Sequence, residues 1–165
     1  MGIRSRIFFI VFVLLTISIA ITYVVAERDL NNTFKQQTLN ELEKKANLLV
    51  TSVGSLNRFD DINAADLFAN ELGNASNSRV TFIKNDGQVI GDSELDFDEI
   101  SIIDNHGNRS EVIDALNNGT GWSSRYSSTL NQELLYFAIQ DNENVYPNII
   151  RISVPITYID KITDT

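Results

Sequence analysis

A long apolar run opens the chain. Residues 7–26 are twenty consecutive positions without a charged side chain, preceded by Arg4 and Arg6 and followed by three charged residues at 27–29. A helix of this length spans about 30 Å, the thickness of the hydrocarbon core of a bilayer. Lys and Arg are enriched on the cytoplasmic side of membrane helices. The pattern therefore predicts a cytoplasmic N-terminus at 1–6, a transmembrane helix at 7–26 and an extracytoplasmic part at 27–165.

A cleaved signal peptide is the alternative interpretation of this run, since Ala26 offers the small residue that a signal peptidase prefers. The apolar core of a signal peptide is usually about 7–15 residues long, and here the run is longer and leads directly into a helical pattern. We therefore expect an uncleaved anchor in the cytoplasmic membrane.

The next pattern is a stripe of apolar side chains at spacings of three and four, which predicts a long helix over 27–57 that continues the membrane helix. The stripe consists of Leu39, Leu42, Ala46, Leu49, Val53 and Leu56. It could pack on the domain's own sheet or on the same helix of a partner chain, and the spacing leaves both open. A shorter helix is predicted next, capped by Asp60 or Asp61. Its apolar side would carry Ala64, Leu67, Phe68 and Leu72.

From residue 79 onward the pattern becomes typical of strands. Residues 79–93 contain two β-rich runs around Asp86-Gly87, a dipeptide that favours a hairpin turn. The acidic segment 92–104 is expected to be a solvated loop, and 110–116 a short helix with Ser110 as its cap. Three more strands are predicted at 122–130, 133–140 and 148–156.

The last two predicted strands differ in character. Residues 134–139 are apolar on both faces, as an interior strand covered on both sides should be. In the final strand, apolar side chains at even positions alternate with Arg151, Ser153 and Pro155, which gives one dry face and one polar face. The element order predicts an α+β fold: an antiparallel five-stranded sheet with a core at 79–156 and the long helix across one face.

Composition narrows the possible functions. The chain has 165 residues, no cysteine, and a net charge of −9. An acidic excess repels phosphate backbones and argues against nucleic-acid binding. Without cysteine there are no disulfides and no cysteine-based metal sites. The sequence contains no nucleophile elbow, metal-ligand pair or phosphate-cradling loop, so we expect no catalytic residue, no metal site and no cofactor.

Five segments together resemble a known family. They are RVTFIKNDGQVIGDS at 79–93, DNHGNRSEV at 104–112, RYSSTL at 125–130, LLYFAI at 134–139 and IRISVP at 150–155. In this order they resemble the extracytoplasmic sensor domain of bacterial membrane histidine kinases of the phosphate-regulon sensor type, which has a PAS-like fold of the PDC or Cache kind. In such kinases the last strand leads into a second membrane span and then the kinase core. The resemblance implies that the chain is a fragment of a receptor.

The resemblance also implies a ligand site between the loop and the sheet. The candidate lining residues are Asp92, Ser93, His106, Arg109, Arg125 and Tyr136. The alternative is a small polar core that only fixes the loop. His106, the single histidine, could order the loop, contact a ligand or act as a pH switch.

Two functions stay open at this stage. One is the signal-sensing input module of a two-component histidine kinase, without enzymatic activity of its own. It would form a homodimer through the long helix and respond to a small-molecule or protein signal. The other is a membrane-anchored ligand-binding or assembly domain with no signalling output.

Overall fold

The computed structural model describes residues 2–54, 62–127, 130–141 and 148–156. The chain divides into two compact units, Met1–Gln37 and Thr38–Thr165. The elements in chain order are the helices and strands α1 Ile3–Gly54, α2 Ile62–Ser76, β1 Arg79–Ile83, β2 Val89–Asp92, α3 Phe97–Ile100, α4 Ser110–Asn118, β3 Thr120–Ser127, β4 Gln132–Gln140 and β5 Ile149–Pro155.

The first unit contains the apolar portion of α1. Its most apolar 18-residue window has a mean hydropathy of 2.7, and none of that window is buried inside the protein. Large side chains such as Phe8 and Leu14 are exposed along it. By length and composition this segment can cross a membrane, and it is the one such candidate among the helices that the structure describes. The anchor itself stays a prediction.

In the second unit the strands form one antiparallel sheet in the order β2-β1-β5-β4-β3. The predicted α+β fold with a five-stranded antiparallel sheet is confirmed. β5 lies at the centre, and β4 is an interior strand whose residues 134–138 are all buried. The apolar run in β4 was therefore a correct indication of a strand covered on both sides.

One face of the sheet forms the main hydrophobic core. Strand residues such as Phe82, Leu135 and Ile152 pack there with α1 residues between 39 and 53 and with α2. The α1 stripe is buried in this core at Leu39, Leu42, Ala46, Leu49 and Val53. Its last member, Leu56, lies outside the described residues. Of the two alternatives that the spacing left open, packing on the chain's own sheet is the one observed.

The apolar side predicted for α2 was partly wrong. Phe68 and Leu72 pack against the core, but Leu67 is exposed, as is Ala64. The residues that meet the sheet are small ones, including Ala65 and Ala69. The cause is a close approach to β2: a Cβ added at Gly91 would lie 2.8 Å from the carbonyl oxygen of Ala65. Only small side chains fit at such a contact. The proposed caps Asp60 and Asp61 lie outside the described residues.

Two local predictions on the opposite side of the sheet also need correction. The acidic segment expected to be loop contains α3, in which the Glu99 carboxylate accepts a hydrogen bond from the Asp96 N–H at 3.0 Å and Ile100 is buried. The N-cap of α4 is Arg109, and Ser110 is the first helical residue. The helix ends where Gly119 adopts a positive φ of 87°, a conformation open to glycine.

The final strand is polar on one face, as expected, but that face is not solvated. Arg151 and Ser153 are each only 2% exposed. The second face of the sheet therefore holds a buried polar cluster, and the candidate site lies there.

Candidate functional site

Strand register brings polar residues into two adjacent rows on the second face of the sheet. Side chains at i and i+2 share a face, as do directly paired cross-strand residues. The first row runs through Asp92, Thr81 and Arg151 on β2, β1 and β5. The second row, on β1, β5, β4 and β3, consists of Arg79, Ser153, Tyr136 and Ser123.

Glu111, in the first turn of α4, covers one end of these rows and has no solvent exposure. Its carboxylate accepts hydrogen bonds from Arg125 Nη1 and Ser123 Oγ, both at 2.6 Å, and from Arg151 Nη1 at 3.4 Å. The helix comes this close because Gly121 lacks a side chain: a Cβ there would collide with the backbone of Glu111. A fully buried carboxylate thus ties α4 to two strands.

Asp92 plays the matching part at the other end of the rows. It accepts hydrogen bonds from Arg79 Nε at 2.8 Å and from Thr81 Oγ1 at 2.7 Å. Arg151 Nη2 in turn donates to Thr81 Oγ1 at 3.1 Å. A continuous hydrogen-bonded chain therefore runs from Asp92 through Thr81 and Arg151 to Glu111.

Tyr136 lies beneath two of the guanidinium groups. The guanidinium carbon of Arg125 is 3.8 Å from the centre of its ring and that of Arg151 is 5.1 Å away. Both distances fall within the range of cation–π attraction. Tyr136 thus holds the two arginines side by side.

The loop that carries His106 is fastened to the β1–β2 turn. The His106 N–H donates to the Gly87 carbonyl at 2.8 Å, and Asn105 Nδ2 donates to the Asp86 carbonyl at 2.8 Å. Gly87 has a φ of +84°, so the positive φ expected at Asp86-Gly87 is present. The imidazole is 5% exposed, and its Nδ1 has no hydrogen-bond partner among the residues that the structure describes.

These groups surround a cavity of about 60 Å³. It is lined by Arg79, Ile103, His106, Arg109, Arg125, Tyr126, Ser127, Tyr136 and Arg151.

The structure brings four of the six sequence-predicted site residues to this cavity: His106, Arg109, Arg125 and Tyr136. Asp92 lies one step behind it, paired with Arg79. Ser93 is not part of the lining, and its hydroxyl accepts a hydrogen bond from the Val80 N–H at 2.9 Å. Ligand binding by these residues stays a prediction.

Sequence reasoning missed Arg151, Arg79 and Glu111. Arg151 occupies a polar position of an alternating strand, a signal that was present but was interpreted only as one face of that strand. Glu111 lies in the predicted short helix 110–116, and nothing in the sequence indicated its contact with an arginine 40 positions away.

The charges of the cluster shift several pKa values. Burial, reinforced by the positive charges of Arg151, Arg109, Arg125 and Arg79, lowers the pKa of His106 to about 3, so the imidazole is neutral at physiological pH. Burial also lowers the pKa of Arg151, to about 10, against the opposing attraction of Glu111.

For the pKa of Glu111, hydrogen bonds and neighbouring charges outweigh burial. Burial alone would raise its pKa, but the hydrogen bonds from Arg125 and Ser123, together with the charge of Arg151, lower it. Glu111 is therefore ionised. The cluster thus contains ionised side chains in a poorly solvated environment.

Comparison with solved structures identifies the architecture. The sensor domain of the histidine kinase DctB from V. cholerae superposes with a TM-score of 0.59 at 14% identity, over 85% of this chain and 58% of that one. The ligand-binding domain of the Campylobacter jejuni chemoreceptor Tlp3, in complex with 4-methylisoleucine, gives a TM-score of 0.61 at 12% identity, over 81% and 59%. This chain has a PDC/Cache fold.

A further Tlp3 sensory-domain structure, with isoleucine bound, matches with a TM-score of 0.56 at 12% identity, over 88% of this chain and 64% of that one. The chain thus spans about three-fifths of the length of these neighbours. No protein-family model matches the chain, and no curated protein sequence does.

Proposed function

We propose that this chain is the extracytoplasmic signal-sensing input module of a membrane receptor, with residues 7–26 as its anchor. The observation that carries the proposal is a PDC/Cache fold preceded in the same chain by an apolar segment long enough to span a bilayer. The neighbours that share the fold are the sensor domain of a histidine kinase and the ligand-binding domain of a chemoreceptor. A buried polar cluster around a cavity supplies a place where a signal could act.

Within this class we propose a two-component histidine kinase of the phosphate-regulon sensor type. Support comes from the five sequence segments between residues 79 and 155 that resemble this family. In this proposal the kinase core belongs to another part of the receptor, and this chain performs no catalysis.

We also propose a homodimer through the long helix α1, but not through its apolar stripe, which is already buried against the sheet. The contact would use exposed positions such as Glu41, Lys44 and Leu48. Single cysteines at these positions can be introduced cleanly, because the chain has no cysteine of its own. In membranes we expect disulfide cross-links at some of them and none at Leu42. Cross-links absent at every exposed position of α1 would contradict the dimer.

The competing function is a membrane-anchored binding or assembly domain without signalling output. The coding sequence that follows Thr165 discriminates between the two. A second membrane span followed by a histidine-bearing dimerisation helix and an ATP-binding domain would support the kinase. A chemotaxis output domain would support the receptor class but not the kinase. A stop codon directly after Thr165 would support the competing function.

A further inference from the structure

We propose that the cavity beside His106, Arg109 and Arg151 binds one compact oxyanion, either inorganic or a carboxylate of one or two carbons, and does not bind an amino acid. This inference rests on the proposed sensor function and specifies the chemistry of its signal.

The first argument is the charge of the cluster. Four guanidinium groups, those of Arg79, Arg109, Arg125 and Arg151, line one cavity in a protein whose net charge is −9. Two carboxylates, Asp92 and Glu111, pair with them. Two positive charges are therefore left without a carboxylate among the groups that form the cluster. Because the site is poorly solvated, an anion entering it meets a strong attraction.

The second argument identifies which arginines have capacity left for a ligand. Arg79 and Arg125 already form short ion pairs, at 2.8 and 2.6 Å. The ion pair from Arg151 to Glu111 is longer, at 3.4 Å, and Arg109 forms no ion pair within the described part of the chain. Arg109 and Arg151 are therefore the cations available to an anion, and guanidinium groups suit oxyanions because they offer paired, coplanar N–H donors.

The third argument comes from buried polar atoms without partners. Arg151 Nε and His106 Nδ1 are buried and make no hydrogen bond to any described residue, although both side chains line the cavity. Leaving such a group unsatisfied costs about 1–3 kcal/mol, and more when the group is charged. The oxygen atoms of a bound anion offer the acceptor that Arg151 Nε lacks. The neutral imidazole of His106, in the tautomer that carries its proton on Nδ1, gives the anion a second donor.

The size and the lining of the cavity favour a small ligand. An engineered cavity of about 150 Å³ holds one benzene molecule. A cavity of about 60 Å³ has room for a compact ion, whereas most of an isoleucine molecule would remain outside it. Ile103 is the single aliphatic residue among the nine that line it, so an apolar ligand side chain would find little to pack against. The occupant is therefore small and anionic, with no apolar group larger than a methyl.

The test uses the full chain 1–165 in detergent micelles, titrated with sodium sulfate, phosphate, formate, acetate or isoleucine at constant ionic strength. Saturable stabilisation by at least one oxyanion is expected, seen as a rise in melting temperature that grows with concentration, and isoleucine should have no effect. Comparing sulfate and phosphate with formate and acetate shows whether the site binds an inorganic oxyanion or a small carboxylate.

Two variants with the same charge change show whether the effect is local. Arg109→Gln removes the available guanidinium without breaking an ion pair among the residues that the structure describes. Arg28→Gln removes an exposed charge that lies neither at the cavity nor at the proposed dimer contact. Arg109→Gln is expected to weaken binding at least tenfold, and Arg28→Gln should bind as the wild type does. If Arg109→Gln does not fold, Arg109→Lys takes its place, since it keeps the charge but loses the planar fork.

An equal rise in melting temperature in the wild type and in both variants would mean a general salt effect, because sulfate stabilises many proteins by exclusion from their surface. That result would overturn the proposal. Stabilisation by isoleucine alone, or by none of the five compounds, would overturn it too. None of these results affects the proposed function, which depends on the topology and on the sequence after Thr165.

Discussion

At the scale of single residues, Glu111 is the group on which the polar cluster depends. It has no solvent exposure and accepts hydrogen bonds from two arginines and a serine. A buried carboxylate in this position neutralises Arg151, which is itself 2% exposed. Removing one partner of a buried ion pair leaves the other charge uncompensated, and this costs far more than the pair itself contributes.

We therefore expect Glu111→Gln to lower the free energy of unfolding by about 3–5 kcal/mol. Glu71→Gln is the matched control, because Glu71 is an exposed carboxylate on α2. Its loss should change stability by less than about 0.5 kcal/mol. Urea unfolding of both variants, followed by circular dichroism, measures the difference. Equal stabilities would show that Arg151 finds adequate solvation without Glu111.

His106 makes a second prediction, on the pH dependence of stability. Its pKa is lowered from 6.5 to about 3 in the folded protein, first by burial and then by the surrounding arginines. Between these two values the unfolded chain binds a proton that the folded protein does not. Stability is therefore full above about pH 6.5 and is lost as the pH falls toward 3, by at most about 1.4 kcal/mol per pH unit.

The charged groups around His106 are the arginines that line the cavity and the two carboxylates paired with them: Arg79, Arg109, Arg125, Arg151, Asp92 and Glu111. These groups are present in the wild type and in His106→Gln. The difference between the two proteins in the pH dependence of stability is therefore the contribution of His106. Unfolding free energies measured at about pH 7.5 and about pH 5 should fall more in the wild type than in the variant. Parallel pH profiles would mean that His106 is protonated in the folded state.

The sequence was informative about the site only where the signal was local. Asp86-Gly87 predicted the turn that supports the His106 loop, and the alternation in β5 placed Arg151 on a polar face. Nothing local showed that this face would be covered. That outcome depends on α4 folding back onto β3 at Gly121, which brings Glu111 to Arg151, 40 positions away in the sequence. The partners of a buried charge follow from such packing and not from the charged residue alone.

At the scale of elements, the C-terminal part of α1 is a core helix. Leu42 is 1% exposed, whereas Leu48 on the same helix is 68% exposed. The pair allows one chemical change to be compared in two environments. Leu42→Ala should lower the free energy of unfolding by about 2–5 kcal/mol, because it removes buried apolar surface and leaves a cavity.

Leu48→Ala should lower it by less than about 0.5 kcal/mol, since no core contact is lost. Thermal or urea unfolding of the two variants measures both effects. Leu48→Ala could lower stability more than Leu42→Ala does in membranes, but not in dilute detergent. That result would mean that another chain covers the exposed side of α1 in the membrane. Equal costs in all conditions would contradict the assignment of the stripe to the core.

The accuracy of the element predictions follows the strength of the periodicity. The α1 stripe extends over several turns, so its buried face was predicted correctly. In α2 the pattern was short, and close backbone approach at Gly91 favoured alanine over leucine at the contact. An apolar-side prediction assumes that larger side chains point inward, and it fails where two backbones come close together.

At the scale of the whole molecule, the central question is topology. The apolar run at 7–26 is preceded by Arg4 and Arg6, and its side chains are exposed along α1. Exposed apolar surface of this extent is unfavourable in water and favourable in a bilayer. Orientation follows from the two arginines, which favour a cytoplasmic N-terminus.

We expect alkaline phosphatase fused after Thr165 to be active in bacterial cells, because that enzyme folds to its active form only outside the cytoplasm. The fusion protein should remain in the membrane fraction and retain its first residues. Arg4→Glu combined with Arg6→Glu should reduce the active fraction by weakening the orientation signal. The matched control is Arg28→Glu, on the opposite flank of the apolar run, which should leave the activity unchanged or higher. A soluble mature protein that begins at Glu27 would show that the run is a cleaved signal peptide. In that case the PDC/Cache domain would lack the anchor on which the receptor proposal rests.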